Sequence, residues 1–346
     1  MIAFPWHRAT LSRLLSDRAR LPHALLVQGS KGIGKTEFAR ALAAGVLCES
    51  PQQGLACGKC VSCHWFEQGN HPDYREIVPE ASAEDEGEGG DGDGARPEKA
   101  EKAKSLFIKI EQIREVADFV SLTTHRAGYR VLVLRPAETL HPNAANALLK
   151  TLEEPPPHTL IVLVSDRPAR LLPTIRSRCR VLELPKPPRE EALAWLKAEG
   201  VPAPETSLAA AGGAPLLARE LARPEEAELR RRIIAELARP SGADPVTFAS
   251  AIDRAAVERF IYWMQTWVYD LVSVRLSGCA RHHTESIAAL RSRAKAVDVD
   301  ALLDLERELA EARRLAAHPL NPRLLAEHLL MTYNRATRGD EARSAL

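Results

Sequence analysis

The chain has 346 residues with a formal net charge of +1, 45% hydrophobic residues and 5% aromatics. That length allows two or three domains with ample core. No apolar run approaches the roughly 20 residues of a membrane span, and the start, Met-Ile-Ala-Phe-Pro-Trp-His-Arg, lacks the apolar stretch and cleavage site of a signal peptide. A cytosolic protein without membrane contact is expected, whose six cysteines serve as ligands or free thiols rather than disulfides.

In chain order, residues 24–28 (Ala-Leu-Leu-Val-Gln) form a short apolar run ending at Gly29. Residues 29–36 read Gly-Ser-Lys-Gly-Ile-Gly-Lys-Thr, a complete G-x-x-x-x-G-K-[ST] phosphate loop. Phe38, Ala39, Leu42 and Ala43 then follow a helical period. Strand, glycine-rich loop and helix are the context that motif requires. Gly29 and Gly34 let backbone N–H groups face phosphate oxygens. Lys35 would reach the terminal phosphates and Thr36 would hold magnesium. A loop kept only for its fold is the competing reading.

Cys48, Cys57, Cys60 and Cys63 form C-x8-C-x2-C-x2-C. Four thiolates suit tetrahedral Zn(II) with no open position, a structural site. An iron–sulfur cluster or free thiols are the alternatives, and His64 or His71 could replace one cysteine. Residues 74–78 are a further candidate strand. Residues 80–104 contain no large apolar residue, which predicts a disordered acidic insertion. Positions 80–94 alone hold seven acids and no base, so the remainder carries a formal +8. That permits nucleic-acid contact without demanding it.

Residues 130–134 and 159–164 read as buried strands of a parallel sheet. Between them Ala145, Leu148, Leu149 and Leu152 line one helix face, stopped by Pro155-Pro156-Pro157. The alternation predicts a doubly wound α/β domain. A hydrolysing ATPase of this architecture ends the 130–134 strand with an acid that fixes the metal. Here Arg135 and Pro136 follow. A cation near the metal would compete with magnesium, and Glu138 could substitute only through a register shift. Little or no intrinsic hydrolysis is expected.

Residues 171–180 carry Arg176, Arg178 and Arg180 around Ser177 and Cys179. Arginine's planar fork suits phosphate oxygens, although a solvated basic face is the plainer reading. Beyond Pro185 strand signals vanish. Residues 188–222 suit a small helical unit broken by Gly212-Gly213 and Pro215. Pro224 opens a longer helical remainder, with Phe260, Trp263, Met264, Trp267, Val268 and Leu271 as bundle core. Asn321-Pro322 predicts the start of a final helix. Cys279 has no partner pattern.

Several segments together resemble the clamp-loader subunits of bacterial DNA polymerase III, within the AAA+ superfamily. They are residues 20–26 (Arg-Leu-Pro-His-Ala-Leu-Leu), the cysteine knuckle, residues 69–74 (Gly-Asn-His-Pro-Asp-Tyr), residues 144–156 (Ala-Ala-Asn-Ala-Leu-Leu-Lys-Thr-Leu-Glu-Glu-Pro-Pro) and Ser177-Arg178-Cys179. The likeness covers residues 1–225 well and is thin beyond. It implies an α/β AAA+ P-loop domain with a zinc module over 1–186, a helical lid over 187–225 and an all-α collar over 226–346. With Arg135-Pro136 in place of the acidic pair, and Leu216 where a sensor arginine would stand, the chain resembles the family's non-hydrolysing companion rather than its gamma/tau motor. The alternative is the motor itself, and a zinc-ribbon nucleic-acid module is a third reading. The resemblance also implies ATP or ADP bound without hydrolysis, Arg178 as an arginine finger in trans, and a sensor position at Ser165. The partners it implies are gamma/tau and delta subunits, a sliding clamp and, through the complex, primed DNA.

Overall fold

A computed structural model describes residues 3–83, 105–121, 128–239, 242–295, 297–315 and 321–337. The chain forms two compact units, Met1–Pro188 and Arg189–Leu346. The second unit contains both the 187–225 segment, apart from its first two residues, and the 226–346 segment.

The first unit holds a five-stranded parallel sheet: β1 (Ala24–Gln28), β2 (Tyr74–Ile77), β3 (Arg130–Leu134), β4 (Thr159–Ser165) and β5 (Arg180–Glu183). The spatial order is β2-β3-β4-β1-β5. β3 and β4 are buried at every position, as strands covered on both faces must be. On one face Leu26, Leu132, Leu134, Ile161 and Leu163 form a core with residues of α4 (Ile110–Ser121) and α5 (Pro142–Glu153). The alternate residues are buried too, since neighbours along a strand point to opposite faces. There α2 (Lys35–Leu47) packs, with Phe38, Leu42 and Val46 fully buried. It follows α1 (Arg8–Leu15) and precedes α3 (Val61–Glu67).

Most expected elements lie where the sequence puts them. The strand expected over 74–78 spans Tyr74–Ile77. β5 and α4 were not anticipated. β5 is an edge strand with mostly exposed residues, so it carries no apolar run. The expected insertion over 80–104 needs adjustment at its start, because Glu80–Ala83 is a helical turn with Glu80 paired to Lys109 Nζ at 2.8 Å. Residues 84–104 lie outside the described residues.

The second unit is helical: α6 (Arg189–Ala198), α7 (Pro204–Ala210), α8 (Pro215–Leu221), α9 (Pro224–Leu237), α10 (Val257–Ser277), α11 (Ile287–Ala294), α12 (Val299–Leu315) and α13 (Pro322–Thr337), with a short helix at Pro245–Ala249. Five of these, the short helix included, begin with a proline at the first helical position. Asn321 Oδ1 accepts from the Arg323 and Leu324 N–H groups at 3.0 and 3.3 Å, capping α13. The six-residue stripe of α10 is fully buried. Tyr333 ties four helices: its hydroxyl accepts from Trp267 Nε1 and Arg293 Nε and donates to Leu237 O. No described helix is long and apolar enough to cross a membrane.

Asp270, fully buried on α10, receives three successive backbone N–H groups. Arg281 N donates to Oδ1 at 2.9 Å, and His282 N and His283 N donate to Oδ2 at 2.9 and 2.7 Å. This concavity of amides suits an anion. It seats the His283 ring beside Trp263 and Trp267, 3.0 Å from Thr266 Oγ1. Burial lowers the His283 pKa to about 2, with the Arg230 charge adding to the effect, so the ring is neutral. Asp270→Ala leaves three backbone donors without their acceptor, the buried His283 N among them, and is expected to cost about 3 kcal/mol. The measurement is the urea midpoint of the intact chain, and an unchanged midpoint would refute this account of the loop.

Candidate nucleotide and metal sites

The C-terminal edge of a parallel sheet is where α/β folds bind ligands, and the phosphate loop lies there between β1 and α2. Gly34 has φ +91, and a Cβ on it would meet the Phe4 ring at 2.6 Å. Both conditions demand glycine. Phe4 and Trp6 stack at 4.8 Å. Trp6 Nε1 donates to Ile33 O at 3.0 Å, and His7 Nε2 lies 2.8 Å from the same oxygen. The N-terminal turn is thus folded onto the loop, a feature the sequence reading missed. Burial lowers the His7 pKa, the Lys35 charge adds to it, and the Ile33 carbonyl opposes.

Lys35 is only 4% exposed. Its Nζ donates to Gly29 O at 2.9 Å and Ser30 O at 2.6 Å, and pairs with Asp166 Oδ1 at 2.5 Å. Thr36 is half-buried in the first turn of α2. Gly29 and Gly34 lie in the loop between β1 and α2, and Lys35 and Thr36 in the first turn of α2, the strand–loop–helix setting in which backbone amides cradle phosphates.

Arg135, expected near the metal position, is directed elsewhere. It bonds the half-buried Glu76 carboxylate of β2 through Nε. Arg40 of α2 grips the same carboxylate with two 2.9 Å bonds, and the Tyr74 hydroxyl donates to it at 2.7 Å. Burial alone would raise the Glu76 pKa. The Arg40 bonds, the Arg135 charge and the Tyr74 hydroxyl outweigh it and hold the carboxyl below its ordinary value. The expected competition between Arg135 and magnesium is thus replaced by an internal ion pair. Glu138 sits in the turn after β3, where its Oε1 accepts from Asp166 N at 3.1 Å. Ser165, fully buried, accepts from Arg167 N at 3.1 Å.

The four cysteine sulfurs lie within 4.8 Å of one another. Cys48 and Cys60 are 3.9 Å apart, and Cys57 and Cys63 are 4.0 Å apart. A tetrahedral ion with sulfur at about 2.3 Å needs sulfur pairs about 3.8 Å apart, so the donor set fits such an ion. Cys57 N, Lys59 N and Cys63 N donate to Cys48, Cys57 and Cys60 sulfurs at 3.3–3.4 Å, bonds that favour thiolates. The Lys59 amide leads in drawing the Cys57 pKa down to about 6, while burial pushes Cys63 up to about 12. A divalent cation among them would lower all four. Neither histidine joins the cluster. His64 bonds Gln68, while His71 Nδ1 accepts from Asp73 N and its Nε2 meets Ser62 Oγ at 2.8 Å.

Arg178 lies in the turn between the helical segment Pro173–Arg176 and β5. Ile175 and Cys179 are buried in the core, which fixes the turn. The Arg178 side chain is 35% exposed, with Nη1 donating to Thr174 O at 3.0 Å and Nη2 paired with Glu153 Oε1 at 2.5 Å. Arg176 and Arg180 are exposed.

The parallel sheet, the loop-to-helix cradle and the helical remainder define an AAA+ P-loop protein. The family described as DNA polymerase III, delta subunit, matches residues 8–188, and its C-terminal counterpart matches residues 224–334. The chain is 35% identical over 282 residues to DNA polymerase III subunit delta' of Pseudomonas aeruginosa, covering 79% of this chain and 78% of that protein. It is 32% identical over 287 residues to the Escherichia coli K12 subunit delta', covering 81% and 77%. Similarity to E. coli subunit tau is 34% over 160 residues, 46% of this chain and 21% of tau. The chain belongs to the DNA polymerase III subunit delta' family.

Replacing Glu76 leaves Arg40 and Arg135 without their carboxylate. Glu76→Gln is expected to cost about 3 kcal/mol. Because the folded-state pKa is depressed, the stabilisation is present above the ordinary value of 4.5 and is lost as pH falls through the folded value. Urea midpoints from pH 7 downward should therefore fall more steeply below about pH 5 in the wild type than in Glu76→Gln. Parallel curves would remove Glu76 from the explanation.

Proposed function

We propose that this chain is the non-hydrolysing delta' member of a bacterial clamp loader, a cytoplasmic complex that places a sliding clamp on primed DNA. The observation that carries this reading is the end of β3. Where a hydrolase needs an acid for its metal, Arg135 is committed to Glu76. Without an acid there, neither metal fixation nor water activation has its group. The gamma/tau and delta subunits are its partners, and the motor subunits hydrolyse ATP. The lid is residues 187–225 and the collar 226–346.

In this reading Arg178 is an arginine finger that reaches the ATP of a neighbouring motor subunit. Its geometry supports the role: the turn is anchored by Ile175 and Cys179, while the guanidinium is held at the surface by Glu153 and Thr174. A fixed fork at the γ-phosphate stabilises charge that develops in the transition state. The intact phosphate loop and the partial likeness to tau favour the motor as second reading. An assay of the chain alone separates the two. The purified chain should show no ATP turnover. Arg178→Ala in the reconstituted complex should reduce clamp- and DNA-stimulated hydrolysis at the completed site by up to about 10³-fold. Turnover by the chain alone, or an unimpaired mutant complex, refutes the proposal.

The cysteine cluster holds one structural zinc ion. Metal analysis of the purified chain should give one zinc per chain, and Cys60→Ala should lose most of it together with several degrees of thermal stability. A folded, metal-free wild type would refute this.

A further inference from the structure

The lysine of the phosphate loop already has an anion. An ammonium offers three donors, and Lys35 directs them to Gly29 O, Ser30 O and Asp166 Oδ1. Asp166 follows directly on β4, whose Ser165 lies in register with Gln28, the last residue before the loop. Sheet pairing therefore fixes its distance from the cradle. Its own backbone is held as well: Asp166 N donates to Glu138 Oε1, and Ser165 Oγ accepts from Arg167 N. Asp166 is 33% exposed and Lys35 only 4%, so the carboxylate is the more solvent-facing member of the pair.

We propose that Asp166 is an affinity-setting residue of this nucleotide site, a built-in competitor for the charge that would otherwise bind terminal phosphates. An incoming triphosphate must break the Lys35–Asp166 pair. It then leaves a carboxylate beside its own negative oxygens, and like charges at that range repel. The loop is complete in sequence and yet takes nucleoside triphosphate weakly. The inference rests on the reading of residues 29–36 as a nucleotide site, and it is independent of Arg178. It also has a definite sign. A carboxylate that served as a metal ligand would strengthen magnesium-dependent binding, whereas a competitor weakens binding with or without the metal.

The test is calorimetric titration of the full chain with ATPγS, with and without magnesium. Wild type is compared with Asp166→Asn, Asp166→Ser and the double variant Lys35→Ala/Asp166→Asn, each checked for folding by its circular dichroism melt. Asp166→Asn should bind about tenfold tighter or more, the scale of a charge-assisted bond no longer displaced. Asp166→Ser should follow, and the Lys35 double variant should lose the gain. Equal affinity of wild type and both single variants overturns the proposal while leaving the nucleotide site in place. Weaker magnesium-dependent binding makes Asp166 a ligand and also overturns it. Absence of binding by every folded variant removes the site and this inference together. The Arg178 experiment on the complex is unaffected by that result.

Discussion

One partly buried carboxylate, that of Glu76, organises the edge of the first unit where chemistry would be expected. Glu76, 15% exposed, accepts from the phosphate-loop helix through Arg40, from the end of β3 through Arg135, and from Tyr74 on its own strand. A carboxylate in such a place is costly unless its lone pairs are filled, and here four donors fill them. Arg135 adds a second cation to that of Arg40; with an acid at its position Glu76 would face a second negative charge, leaving Arg40 and Tyr74 alone to offset burial. Arg135, the residue that follows β3, is therefore one of the two arginines that hold the β2–β3 edge together.

The same logic separates what was legible in the sequence from what was not. β1, β3 and β4 were legible because burial on both faces demands unbroken apolar runs. The phosphate loop and the cysteine knuckle were legible because their spacing encodes local geometry, with successive motif residues no more than nine positions apart. The α10 stripe was legible through its helical period. Glu76, Asp166 and His7 carried no such mark. Arg40 pairs with a residue 36 positions away and Trp6 with one 27 away, and no local pattern links such partners. β5 escaped because an edge strand needs only one covered side, and Arg180 and Val181 are exposed. Arg135 shows both limits at once. Its presence was read from the sequence, but its direction depends on Glu76, which only the sheet order brings alongside.

The cysteine module is tied to the phosphate-loop helix rather than hung from it. Cys48 follows the last residue of α2, and the Ser62 hydroxyl, between Cys60 and Cys63, donates to Leu47 O at 2.6 Å. His71, accepting the Asp73 amide at Nδ1, presents Nε2–H to the same hydroxyl. Serine thus bridges the two ends of the cysteine set through backbone, and histidine fixes the serine rotor. Outer partners of this kind set ligand orientation. They explain why His71 is buried although it lies outside the cysteine cluster.

On the proposed reading, the two arginines and the lysine divide a single task. Lys35 and Arg135, cations that belong to the chain's own nucleotide edge, are both neutralised by acids of the same unit, Asp166 and Glu76. Arg178 is paired too, but with Glu153, a surface residue whose side chain is 48% exposed. Exposed pairs of that kind contribute little, about 1 kcal/mol or less, whereas pairs around buried groups resist separation. The guanidinium that can leave its partner at low cost is the one at the surface, where a γ-phosphate offered by another subunit would exceed Glu153 in charge and in acceptor number. The charges that would serve chemistry inside the chain are held fast, and the one that can serve chemistry outside it is held loosely.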